Sequence, residues 1–394
     1  MDPRSISIDD LDYDLPVDRI AQQPLADRDA SRLLQYKGGA ISDHNFTELP
    51  DLLPQGTLLV LNDTRVVNAR LFFQRSSGAT IEIFCLEPID PPSIEKAFAA
   101  KGSSSWKCLL GNARKWREGE MLRSGSGSIE LLAERIGKDE VGFRWSDDLT
   151  FGEMLDRRGH VPLPPYMQRP DAIGDRERYN TVFARSKGSV AAPTASLHFS
   201  DRIMQRLKEK RIATTTLTLH VGAGTFLPVK SDRMEGHTMH SEQVRIPMST
   251  IELLADRSEN EPIVPVGTTA LRSLESLYWH GVKVLAGEKG EEMAIGQWEP
   301  YDRKGALPSR SEALRAIVQS MPGSDQLTGS TRLLIAPGYQ FRFVDGLITN
   351  FHQPKSTLLL LVAALIGNDW RTVYDHALAN GYRFLSYGDG SLLW

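Results

Sequence analysis

Nine consecutive apolar residues, Leu358 to Ile366, follow directly on the polar stretch Asn350-Phe351-His352-Gln353-Pro354-Lys355-Ser356-Thr357. That run is well short of the about 20 residues a membrane-spanning helix needs, so it predicts a buried core element. Pro354 fixes φ and has no backbone donor, which predicts a stiff turn into that element. Ser356 or Thr357 is then the N-cap of an ordinary helix start. The same His, Lys, Ser and Thr at the mouth of a buried segment also suit a reactive pocket over a packed core.

Three other apolar runs end in small polar clusters. Leu58-Leu59-Val60-Leu61 leads into Asn62-Asp63-Thr64-Arg65, and Leu217-Thr218-Leu219-His220-Val221 into Gly222-Ala223-Gly224-Thr225-Phe226. Ile263-Val264-Pro265-Val266 leads into Gly267-Thr268-Thr269 and a helix carrying Arg272 and Glu275. In α/β sheets, ligands bind beyond the carboxyl ends of the strands, so three such ends together predict a ligand site. Between Thr214 and Val221 the period-two alternation puts Thr214, Thr216, Thr218 and His220 on one face. His220 therefore falls on the polar face, beside the glycine turn.

Helical spacing is clear elsewhere. Ala270 to His280 places Leu271, Leu274, Leu277 and Tyr278 on one face, with Gly281 as a stop. Asp201 to Arg211 reads as an amphipathic helix capped by Ser200, and Ser249-Thr250-Ile251-Glu252 as a capping box. Residues 70–150 have a different texture. Short β-like runs such as Thr80 to Leu86 and Val141 to Trp145 are separated by Gly/Ser turns, notably Ser124-Gly125-Ser126-Gly127-Ser128. These patterns predict an α/β (α+β) main domain from 1–68 and 152–394, interrupted by a small β-barrel at 69–151. Residues 286–326 read as an added, partly surface-borne elaboration.

Composition narrows the function classes. The 394 residues carry a net charge of −4, with 41% hydrophobic and 24% charged residues, as in an ordinary globular protein. No strongly basic surface is implied, so RNA contact would use local clusters: Lys208, Lys210 and Arg211; Arg157 and Arg158; or Arg176 and Arg178. Each cluster is more often simply a solvated face. Two cysteines, Cys85 and Cys108, point to a reducing compartment, and the N-terminal stretch has no apolar secretion segment. A cytoplasmic protein without membrane contact is the expectation.

Several familiar motifs fail. Gly222-Ala223-Gly224 begins like a dinucleotide fingerprint, but Leu227 takes the third glycine position and Pro228 cuts off the helix. Lys355-Ser356-Thr357 resembles the end of a P-loop, yet Thr349 and Pro354 stand where its glycines belong. His237 and His240 lack the helical spacing of a metalloprotease, although His220 would offer a third ligand. Ser196 lacks the glycines of a nucleophile elbow. What remains is a pocket without metal, drawing on His198, His220, His237, His240 and His352 for proton transfer near neutral pH.

At these residues the chain resembles the S-adenosylmethionine:tRNA ribosyltransferase-isomerase family of queuosine biosynthesis. The resemblance runs through Tyr13-Asp14-Leu15-Pro16, Arg28-Asp29-Ala30-Ser31-Arg32-Leu33, Leu61-Asn62-Asp63-Thr64-Arg65-Val66 and Asp175-Arg176-Glu177-Arg178-Tyr179. It continues through Gly188 to Ala195, Leu197-His198-Phe199, Leu219-His220-Val221-Gly222, Gly224-Thr225-Phe226, His240-Ser241-Glu242 and Gly267-Thr268-Thr269. Asp345 to His352, Pro354 to Thr357, Arg383-Phe384 and Ser386-Tyr387-Gly388-Asp389 complete it. Departures are Ser196 for a usual glycine, Leu227 for an arginine and Gln353 for a leucine.

The resemblance implies transfer and isomerisation of the ribosyl moiety of S-adenosylmethionine onto 7-aminomethyl-7-deazaguanine at the tRNA wobble position. Epoxyqueuosine-tRNA, adenine and methionine would be the products. S-adenosylmethionine is then a substrate, no true cofactor is required, and the protein is expected to be a monomer. It also implies an α/β domain with an inserted barrel. His198, His220, His240 and His352 are the expected bases and acids, with Asp63 and Glu242 orienting them or facing the sulfonium. Arg65, Arg272 and Lys355 would anchor carboxylate or phosphate. Further substrate contacts are expected from Asn62, Thr64, Thr194, Phe199, Gly222, Gly224, Thr225, Phe226, Ser241, Gly267, Thr268, Thr269, Glu275, Asn350, Ser356, Tyr387 and Asp389. The competing readings are a tRNA-binding protein without this chemistry and a metal-dependent hydrolase built on His220, His237 and His240.

Overall fold

The computed structural model describes residues 2–394 except 126–129, 147, 223–228, 230 and 304. Ala223, Gly224, Thr225, Phe226, Leu227 and Pro228, and Ser126, Gly127 and Ser128 of the expected turn, thus lie outside the described residues. The central element is a mixed six-stranded sheet in the order β14-β3-β12-β13-β16-β15. Its strands are β3 (Leu58–Asn62), β12 (Ala213–His220), β13 (Glu242–Pro247), β14 (Ile263–Pro265), β15 (Glu292–Ile295) and β16 (Gln326–Thr331). β14, β3 and β12 run parallel, β13 runs antiparallel to both β12 and β16, and β15 runs parallel to β16.

β3 is apolar from Leu58 to Leu61 because both of its faces are covered. Leu58 and Val60 join the core under helices Met248–Asp256, Thr268–Leu285 and Arg310–Ser320, whereas Leu59 and Leu61 meet Phe199, Ile203 and Leu207 on the other side. β12 follows the expected alternation: Leu217 and Leu219 enter the first core, and Thr218 and His220 face the opposite way. At Thr218 and His220 this face is buried too.

A second sheet, in the order β17-β18-β1-β2, consists of β1 (Arg32–Lys37), β2 (Ala40–Asn45), β17 (Leu347–Asn350) and β18 (Gly390–Leu393). The apolar run forms helix Thr357–Ile366, with Ser356 Oγ accepting from Leu359 N at 3.2 Å, and it packs with helix Asp369–Ala379 around Trp370, Tyr374 and Phe384. The two sheets are joined where Val266 bridges Ile348 and Gly267 N donates to the Ile348 carbonyl at 2.7 Å. The ends of β14 and β17 are thereby side by side. No helix among the described residues is long and apolar enough to cross a membrane.

The third unit is a closed antiparallel barrel in the order β10-β7-β6-β5-β8-β9. Its strands are β5 (Arg70–Gln74), β6 (Thr80–Asp90), β7 (Ser103–Gly111), β8 (Met121–Ser124), β9 (Leu131–Arg135) and β10 (Glu140–Trp145). Helix Phe151–Arg158 closes it, driving Phe151 among Trp106, Phe143 and Trp145. A mixed α/β fold with an inserted barrel is what the sequence led us to expect. Two short parallel strands, β4 (Thr64–Val66) and β11 (Ser186–Ser189), lie between barrel and main sheet.

Three local expectations are corrected. The helix at Met248–Asp256 begins ahead of Ser249, so that residue is not an N-cap. Thr250 Oγ1 instead meets Thr215 Oγ1 at 2.8 Å and the Thr216 carbonyl at 3.1 Å, a tertiary demand that overrides the local capping pattern. Gly281 does not stop its helix, which continues to Leu285; a Cβ there would lie 2.3 Å from the Ala313 carbonyl oxygen. The glycine permits a close helix crossing. Residues 286–326 are not simply a surface elaboration, because they supply edge strand β15 and place Met293, Ala313, Leu314 and Ile317 in the core.

Candidate functional site

The joined ends of β14 and β17 open into an inner pocket, open to solvent and lined also by residues 191–195, Val221 and Leu385. Gly267, at φ +92°, makes the turn that an L side chain rarely adopts, and starts helix Thr268–Leu285 without a side-chain cap. Thr268 and Thr269 therefore bring the electropositive start of a long helix to the pocket wall. Asn350, His352 and Ser356 come from the other side. Among the described residues, no Asp, Glu, Lys or Arg lines it.

His352 is the one expected histidine in this pocket. Its Nε2 is 2.9 Å from Thr349 Oγ1 and its backbone N donates to Tyr374 Oη at 3.0 Å. Among the described residues Nδ1 has no hydrogen-bond partner. Burial pushes the imidazole down to about 3, so it is neutral near pH 7 and fits a base or a hydrogen-bonding group, not a ready acid. His198 sits behind the pocket with Nε2 3.1 Å from Asn350 Nδ2, and burial brings it to about 4.

His220 opens on a different space, a cleft between the barrel and the six-stranded sheet, lined also by Gly222, Ser241 and Arg245. Its Nδ1 is 2.9 Å from Thr64 Oγ1, and burial holds the ring at about 4. A Cβ on Gly188 would lie 2.6–2.8 Å from the imidazole atoms, so only glycine leaves room for this ring. Val221 lines both cavities, making one strand end the wall between them. His240 is exposed, and neither pocket includes it.

The other expected residues divide. Thr194, Gly267, Thr268, Thr269, Asn350 and Ser356 line the inner pocket. Asn62 ties β3 to β12 through Leu219 and reaches Thr269 Oγ1 at 3.5 Å. Asp63 accepts from Thr218 Oγ1 at 2.6 Å, and burial raises its pKa. Glu242 and Arg272 form a buried ion pair, with burial lowering Arg272 to about 10.

Several residues have structural partners instead. Glu275 accepts from Tyr339 Oη at 2.8 Å and from the Arg342 and Phe343 backbone N–H groups, and burial raises it to about 7. Lys355 binds Asp9 at 2.8 Å and Asp12 at 3.0 Å, fastening the N-terminal segment. Phe199 packs on Phe46, Tyr387 donates to Asp175 at 3.0 Å, and Asp389 accepts from Arg32 N and Arg383 N. Arg65 is exposed on β4. Arg176 and Arg178 hold backbone carbonyls at Asp156, Leu25 and Ala26.

Ala191, Ala192, Pro193, Thr349, Ser386 and Tyr166 are also in the pocket wall, beyond the contacts expected from the sequence. All but Tyr166 lie in segments that carry the resemblance and were findable there. Tyr166, whose Oη is 2.5 Å from Ser386 Oγ and whose pKa burial pushes up to about 12, lies outside those segments. Among the described residues no three His, Cys, Asp or Glu side chains gather as a metal ligand set.

Similarity to known proteins covers nearly the whole chain. The profile of the family described as "Queuosine biosynthesis protein" matches residues 8–393. The S-adenosylmethionine:tRNA ribosyltransferase-isomerase of Azoarcus sp. (strain BH72) is 40% identical over 391 residues, 99% of this chain and 98% of the relative. The protein of the same name from Rhizorhabdus wittichii is 40% identical over 395 residues, 98% of each. The crystal structure of the S-adenosylmethionine tRNA ribosyltransferase of Thermotoga maritima shares 28% identity, covers 98% of this chain and 99% of that one, and superposes with a TM-score of 0.47. With the match extending from the first short helices to the last strand, the chain belongs to the queuosine biosynthesis protein family.

Proposed function

We infer that this protein is an S-adenosylmethionine-dependent tRNA ribosyltransferase-isomerase. It moves the ribosyl part of S-adenosylmethionine onto 7-aminomethyl-7-deazaguanine at the wobble position of tRNA, leaving epoxyqueuosine-tRNA, adenine and methionine. The observation that carries this reading is 40% identity to enzymes of that name over nearly the full length of both chains. S-adenosylmethionine is consumed as substrate, no separate cofactor takes part, and the enzyme works as a monomer in the cytoplasm, where its tRNA is found.

The site suits the chemistry. A sulfonium makes the adjoining 5′ carbon acidic, and a neutral imidazole held at one nitrogen is a base for that proton. His352 has this arrangement in the inner pocket, with Thr349 at one nitrogen. His220 repeats it in the outer cleft, with Thr64 in the same role. Two cavities that share Val221 bring a donor and an acceptor substrate to one wall. The test is a product assay with S-adenosylmethionine and tRNA bearing the aminomethyl base. Equimolar adenine and methionine are expected; S-adenosylhomocysteine in their place would mean methyl transfer and end this reading.

A further inference from the structure

Asn350 closes β17 and is 2% exposed, with its carboxamide at the wall of the inner pocket. Nδ2 lies 3.1 Å from His198 Nε2 and 3.5 Å from the Asp389 carbonyl oxygen. A carbonyl only accepts, so the NH₂ end of the amide faces that way. The His198 ring agrees. Its hydrogen bond with the Arg28 backbone favours the protonated ring, so the imidazole donates there. A neutral imidazole has one donor, which leaves Nε2 to accept from Asn350. The amide is thus fixed from two sides.

Oδ1 points away from these partners, and among the described residues it is buried with no hydrogen-bond donor. Buried acceptors are seldom left in that state unless a ligand or water completes them. Among the described residues the surrounding wall has no Asp, Glu, Lys or Arg, and it mixes Ala, Val, Leu and Phe with Thr, Ser, Gln and Tyr. An amino-acid zwitterion would be desolvated there without a counter-charge from the described residues. A neutral, flat nucleobase with an exocyclic amine fits both the walls and the waiting acceptor.

We propose that Asn350 reads the adenine of S-adenosylmethionine, its Oδ1 accepting from the exocyclic 6-amino group, and that His198 is the positioning residue holding the amide in that orientation. This rests on S-adenosylmethionine being the ribosyl donor. His198 touches no ligand in this arrangement. It prevents the amide from turning over and offering NH₂ instead of oxygen.

Calorimetric binding of S-adenosylmethionine and of its 6-deamino and 6-oxo purine analogues tests this on wild type, Asn350→Ala and His198→Ala. Wild type should prefer the adenine compound to either analogue by roughly 10- to 100-fold, the range for one buried hydrogen bond. Asn350→Ala should bind the adenine and 6-deamino compounds within about threefold of each other. His198→Ala, with a freed amide, should improve the 6-oxo compound relative to adenine by roughly tenfold. Equal binding of all three compounds by wild type overturns the proposal even if the variants fail to fold. An unchanged ratio in folded His198→Ala overturns the positioning role. Failure of wild type to bind any of the three, with no adenine released in the product assay, overturns the donor reading itself.

Discussion

Lowering the pH from 7 to 5 should remove much of this protein's stability, and His352→Gln should restore a defined part of it. Burial holds His352 at about 3, and His198 and His220 at about 4. An unfolded histidine titrates near 6.5. Below that pH the unfolded chain takes up protons that the folded chain refuses, so stability falls as pH falls, between about 6.5 and 3 for His352. Each such proton is worth about 1.36 kcal/mol per pH unit, so at pH 5 His352 alone costs roughly 2 kcal/mol relative to pH 7. Glu275 works in the opposite direction. Its folded pKa is raised to about 7, so the folded state binds that proton first and gains stability as pH falls from 7 toward the unfolded value. The wild-type slope therefore mixes several groups, whereas the difference between wild type and His352→Gln isolates one. Glutamine keeps a neutral polar group near Thr349 and cannot titrate. Urea unfolding at a series of pH values from 7.5 to 5 gives the two curves. The stability difference between the proteins should move by roughly 2 kcal/mol in favour of the variant from pH 7 to pH 5. A difference constant to about 0.5 kcal/mol would show that His352 is not held neutral by burial, and would refute the reasoning.

Two further outcomes concern glycines and their neighbours. His220→Ala should lower single-turnover rate by roughly a hundredfold or more with S-adenosylmethionine binding unchanged, and Gly188→Ala, whose Cβ would lie 2.6 Å from the His220 ring, should show the same split more weakly. Near-normal turnover in both would remove His220 from the chemistry. Gly281→Ala should destabilise the fold by about 1–3 kcal/mol, because its Cβ meets the Ala313 carbonyl oxygen; an unchanged melting temperature would mean that the two helices separate at no cost.

Much of this protein can be read from local pattern. The Leu358 to Ile366 run, the Ser200 cap and the alternation on β12 each depend on neighbours two to four residues away, and each appears in the fold. The barrel's short strands and glycine turns are similarly local. The three polar strand ends were also visible, since an apolar run breaking into Gly, Thr and Asn marks where a strand leaves its sheet.

What the strand ends share was decided only in three dimensions. Those of β14 and β17 meet through the Val266–Ile348 bridge and build the inner pocket, whereas His220 at the end of β12 faces the barrel cleft. Four histidines that look equivalent along the chain become one in the pocket, one behind it, one in the cleft and one exposed. Local pattern likewise could not show that Glu275 is used by a distant loop, that Lys355 holds Asp9 and Asp12, or that Gly281 serves a helix crossing. Periodicity specifies which face of an element is apolar. Which polar group a buried side chain meets depends on contacts between residues far apart in sequence, and those exist only once the sheets have packed.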